Sequence, residues 1–159
     1  MSEKQKGFSF IELLVVMAIL LIMGAIAVPS VVNALPSYRL ERAARDLSMK
    51  LRIARSQAIK QNRTMVVRFY PAMGTYTIDG RTVALEQGIS FGHGKAKKAA
   101  WAGTVLPSDG VSFRSNKLTF SPRGISSNSG YVYLQNDKGR AIAIGATTAG
   151  NISYRDLKC

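Results

Sequence analysis

The sequence predicts an α+β fold in which one long N-terminal helix, membrane-spanning in its first part and amphipathic in its second, packs on a small domain of antiparallel β-sheets. Three observations predict it. Residues 8–28 carry no charge except Glu12. Leu40, Ala43, Ala44, Leu47, Leu51, Ala54 and Ala58 recur at steps of three and four, the period of one helix face. After Gln61-Asn62 the apolar period falls to two, in short runs separated by turn residues. The expected divisions are a leader at 1–7, a transmembrane segment at 8–28, an amphipathic helix at 29–62 and a β domain at 63–159.

The leader contains Lys4-Gln5-Lys6-Gly7 ahead of the apolar run. At a rise of about 1.5 Å per residue the run from Phe8 to Val28 reaches roughly 30 Å, the thickness of a bilayer core. Lysines before a span stay in the cytoplasm, which places everything after Val28 on the far side, the periplasm of a Gram-negative cell. Ala25-Ile26-Ala27 imitates the cleavage site of a secretory signal peptide, but the pattern continues beyond it into the amphipathic stretch, so the apolar part is expected to be retained. Glu12 is the informative residue. A carboxylate in a membrane-spanning helix is disfavoured by up to about 3 kcal/mol on insertion scales and marks a functional group in search of a partner. The candidate partner is the N-terminus of another chain.

Pro29 and Pro36 are expected to kink the helix or loosen a turn around residues 28–35. Beyond them Arg42, Arg45 and Arg52 fall on a different side from the apolar stripe, which is expected to seat the domain's own sheets. Strands are predicted at 64–70, 75–78, 81–85, 89–91, 111–113, 117–120, 131–135, 140–144 and 152–154. Asp79-Gly80 is a strong two-residue hairpin signal, and Asn136-Asp137-Lys138-Gly139 has turn composition between two strands. The stretch from Gly92 to Gly110 is long for a connection, and loops of that length tend to be functional or disordered.

Composition bounds the chemistry. The chain has 159 residues and a formal net charge of +13. Loss of Glu3, Lys4 and Lys6 with the leader would lower that charge by one. A field this positive attracts nucleic acid, anionic lipid or acidic protein surfaces. The single cysteine, Cys159, allows no internal disulfide and no thiolate cluster. His93, in Gly92-His93-Gly94-Lys95, has no second histidine and no adjacent carboxylate, so no metal site is expected; the tetrapeptide also lacks the spacing of a phosphate-binding loop. No cofactor and no enzymatic activity are expected. Two basic groups are candidate nucleic-acid contacts: Lys95, Lys97 and Lys98 near Trp101, and Arg140, Arg155 and Lys158 toward the C-terminus. The alternative is a solvated loop with Trp101 folded onto the core.

The leader with Gly7, Phe8 and Glu12 resembles the class III leader of type IV pilins and type II secretion pseudopilins. The segments Phe69-Tyr70-Pro71 with Gly74, Leu118 to Gly124 and Gly139 to Ile144 are similar to the GspH/FimT branch of that superfamily. The resemblance covers nearly the whole chain. It implies a pilin-like long helix whose periplasmic half packs on two antiparallel sheets. It also implies cleavage by a prepilin peptidase between Gly7 and Phe8, N-methylation of Phe8, and pairing of Glu12 in one subunit with the Phe8 amine of a neighbour. The implied role is a minor pseudopilin of the type II secretion pseudopilus that supports protein export across the outer membrane. Its partners would be other pseudopilins or pilins and an inner-membrane assembly platform. The alternative within the family is a minor type IV pilin that binds DNA for natural transformation. DNA-uptake members carry Gly-Arg followed by a second arginine two residues later, whereas Gly139-Arg140 here precedes Ala141-Ile142.

Overall fold

The structure, a computed structural model, describes residues 9–100 and 105–157. Two units divide the chain, one ending at Leu35 and one beginning at Pro36. Helix α1, Phe10–Lys60, contributes to both. In the first unit its segment Phe10–Ala27 is long and apolar enough to cross a membrane, and none of it is buried. α1 remains helical through Pro29 and Pro36, so no turn between residues 28 and 35 leaves the helix. Each proline withdraws its own backbone donor from the helix.

The second unit is built around the later part of α1. Leu40, Ala44, Leu47, Leu51, Ala54 and Ala58 have no exposed surface and Ala43 is buried, so the whole predicted stripe forms the core face. Burial of each leucine contributes about 1.5–3 kcal/mol against the exposed state. Asn62, with φ 47°, ends the helical stretch in a left-handed turn.

Eight strands follow: β1 Met65–Tyr70, β2 Thr75–Ile78, β3 Arg81–Ala84, β4 Ile89–Phe91, β5 Lys117–Phe120, β6 Gly130–Asn136, β7 Ala141–Ala146 and β8 Ile152–Leu157. They form two four-stranded sheets, ordered β3-β2-β1-β5 and β4-β6-β7-β8. All pairings are antiparallel. Asp79 and Gly80 both have positive φ, 50° and 80°, as a two-residue turn matched to strand twist requires. Inward side chains of both sheets, among them Met65, Val67, Leu118, Val132, Leu134, Ile142 and Ile144, share one core with the helix stripe.

Two expectations are corrected here. Residues 111–113 do not form a strand; Val111 makes an isolated bridge to Val132, and Ser112 Oγ accepts the Tyr131 amide at 2.7 Å where a ladder would use a carbonyl. The buried–exposed–buried order of Val111, Ser112 and Phe113 imitates strand alternation. The described part of the 92–110 connection is not loose. Ala96 and Ala100 are buried against Tyr133, Ala141, Ala143 and Leu157, forming a second apolar layer on the outer face of β6-β7-β8. That layer explains why all of β7 is buried.

Candidate functional site

Glu12 lies in the first turn of α1, where a carboxylate also complements the helix dipole. Its neighbours Phe10, Ile11, Leu13 and Leu14 are exposed in this isolated chain. Among the described residues Glu12 makes no ion pair. Gly7 and Phe8, the expected cleavage and methylation positions, lie outside the described residues, as do Trp101, Lys158 and Cys159.

The structure brings Lys95, Lys97 and Lys98 onto the same region of the β domain as Arg140 and Arg155. The Gly94 amide donates to Gln135 Oε1 at 2.7 Å and the Lys95 amide to the Gly139 carbonyl at 2.8 Å, which seats the lysine loop against the β6–β7 turn. Lys95, Lys97 and Lys98 are exposed there. The two arginines are engaged within the domain. Arg140 Nη2 donates to Asp156 Oδ2 at 2.5 Å, a contact that raises the arginine pKa further above its ordinary value. Arg155 donates through Nη1 to the Ala100 carbonyl, tying β8 to the covering loop. His93 Nδ1 is buried and has no hydrogen-bond partner among the described residues. Among the described residues no group of three or more His, Cys, Asp or Glu side chains converges as metal ligands would.

Residue-by-residue reading missed Arg55. Its Nε donates to the Gly124 carbonyl at 2.8 Å and its Nη2 to the Ala149 carbonyl at 3.4 Å. Arg52 adds a bond from Nη2 to the Ile152 carbonyl at 3.1 Å. The helix thus holds the turn after β5 in one sheet and the β7–β8 turn in the other. Gly124 and Gly150 are left-handed, with φ 77° at each, and a Cβ on Gly150 would stand 2.0 Å from the Gly124 carbonyl oxygen. The two glycines were the available signal, but their partner lies about half the chain away in sequence.

The family model described as Type II transport protein GspH matches residues 43–150, and that of the Prokaryotic N-terminal methylation motif matches residues 3–28. Among curated proteins none matches the sequence. The fold is similar to that of the type IV minor pilin FimU of Pseudomonas aeruginosa, at 16% identity over 77% of this chain and 90% of that one, with TM-score 0.53. It is equally similar to that of the minor pseudopilin EpsH from the Type 2 Secretion System of Vibrio cholerae, at 11% identity over 74% of this chain and 97% of that one, with TM-score 0.53. At these identities the two structures show the shared α+β fold. The methylation motif contains Gly7, Phe8 and Glu12, and the larger match covers the core stripe from Ala43 onward and both sheets up to the β7–β8 turn. The chain belongs to the Type II transport protein GspH family of minor pseudopilins and minor pilins.

Proposed function

We propose that this protein is a minor pseudopilin, a structural subunit of a short periplasmic fibre in a type II secretion system. The match of residues 43–150 to Type II transport protein GspH carries this reading. A prepilin peptidase cuts between Gly7 and Phe8 and methylates the new amine of Phe8, within the matched methylation motif. The apolar part of α1 then holds the subunit in the inner membrane with the β domain in the periplasm. Glu12 neutralises the Phe8 amine of a neighbouring subunit. In a low-dielectric setting an unpaired ion is strongly disfavoured, so the pair favours the fibre over the lone protomer. The subunit performs no chemistry of its own; its partners are other pseudopilins and the inner-membrane platform that assembles them.

The similarity to FimU supports a second reading, a minor subunit of a type IV pilus. DNA capture gains little from the β domain, since half-buried Arg140 is paired with Asp156 and Arg155, though exposed, donates to the Ala100 carbonyl, which leaves the exposed lysines of the loop as the remaining described candidates. Deletion of the gene tests the choice. The secretion reading predicts that exported enzymes accumulate in the periplasm while surface pili and transformation persist. Normal export with lost pili or lost transformation would overturn it.

A further inference from the structure

We propose that a groove at one end of the β4-β6-β7-β8 sheet is a saccharide-binding site for an uncharged glycan. The groove encloses about 450 Å³, within the size range of small-ligand sites. Tyr131 forms its shelf. Gly145 makes that shelf: a Cβ there would lie 2.4 Å from the Tyr131 ring and 2.8 Å from Ser153 Oγ, so only glycine lets the ring lie across β7 beside Ser153. The shelf is held in place by Ser112, whose Oγ accepts the Tyr131 amide at 2.7 Å and whose amide donates to the Tyr131 carbonyl at 2.8 Å.

The lining chemistry selects the ligand. Hydroxyls of Ser129, Thr148 and Ser153 face the groove on exposed residues and make no hydrogen bond among the described residues. Each hydroxyl both donates and accepts, which matches a ligand whose own polar groups are hydroxyls. Among the described residues no charged side chain lines the groove, although the chain as a whole carries a formal net charge of +13. An anion would find no cation there, and a cation would meet a repulsive field. A pyranose ring fits both demands: its C–H face lies on the tyrosine ring and its rim of hydroxyls meets the serines and threonines. The site does not depend on which kind of fibre the subunit enters.

The test is calorimetric titration of the full chain, in micelles of a zwitterionic detergent without a sugar headgroup, using cellotetraose and chitotetraose as probes. Saturable binding of at least one probe is expected, with Tyr131→Phe close to the parent and Tyr131→Leu weaker by about tenfold or more. The Ser129→Ala/Thr148→Val double variant changes only exposed side chains, so it keeps the fold and must also weaken binding. Failure of both probes to saturate, or parent-like binding by Tyr131→Leu and by the double variant, would overturn the proposal. So would a photo-crosslinker at Thr148 that captures a neighbouring subunit in the assembled fibre, because the groove would then be an interface between protomers.

Discussion

Glu12 concentrates the physics of this chain in one side chain. Placed among Phe10, Ile11, Leu13 and Leu14 on a helix long and apolar enough to cross a membrane, its carboxylate carries an insertion penalty that a cation can offset. The proposed cation is the Phe8 amine of an adjacent subunit, so the effect belongs to assembly. Glu12→Ala is therefore expected to leave membrane insertion intact and to reduce incorporation into the fibre about tenfold or more, the change that follows from losing roughly 1.4 kcal/mol or more of pairing. Cross-linking of neighbouring subunits in membranes measures it, and normal incorporation would contradict the pairing. The acid stands out in the sequence because membrane segments tolerate so few charges, and its role as a pairing group is the proposal that this measurement tests. The buried helix face was legible for a different reason: Leu40 to Ala58 keep a period of three and four that depends only on local geometry, and every member is buried. Arg55 was not legible, since its acceptors at Gly124 and Ala149 are set by the way the sheets close on the helix.

At the scale of elements, turns were easier to read than packing. Asp79-Gly80 specifies its hairpin because two successive positive φ values exclude most other residues. The 136–139 turn is specified by Asn136, whose Oδ1 accepts the amides of Lys138 and Arg140 at 3.2 and 3.0 Å. Residues 111–113 misled because an inward-pointing valine and phenylalanine produce the same alternation whether or not a ladder forms. The covering of β7 by Ala96 and Ala100 left only a faint trace, in the small residues Ala141, Ala143 and Gly145 at alternate positions where another layer must approach closely. The arginine clamp is an element-level device as well, since it binds one turn from each sheet to α1. Arg55→Met keeps the aliphatic stem and removes both donors, and is expected to destabilise the β domain by about 1–3 kcal/mol. Denaturant unfolding of the full chain reads the loss, and amide exchange at Ser126 and Gly150 should accelerate with it. An unchanged unfolding midpoint would show that the clamp contributes nothing.

For the molecule as a whole, the shared core explains how about 100 residues stay folded with no internal disulfide available from a single cysteine. Its buried tyrosines give that core a pH limit. Burial raises the phenol of Tyr76 above its ordinary value of 10.0, an effect partly opposed by the Lys50 ammonium 5.9 Å from the ring centroid. Burial raises Tyr133 in the same direction, partly opposed by its hydrogen bond with the Ala100 backbone. Raised folded values mean that the unfolded chain releases these protons first. The stabilisation is fully present below about pH 10 and is lost as pH climbs through the raised values. Spectrophotometric titration should therefore show a late tyrosine class whose ionisation coincides with loss of β-sheet circular dichroism; full ionisation near pH 10 with the fold intact would contradict the burial argument.

The central claim is that the chain is a processed subunit whose new amine meets the acid of its neighbour, and mass spectrometry of the mature protein's N-terminus tests it most directly. The account predicts a chain beginning at N-methylated Phe8. A mature protein beginning at Met1, or cut after Ala27, would contradict it.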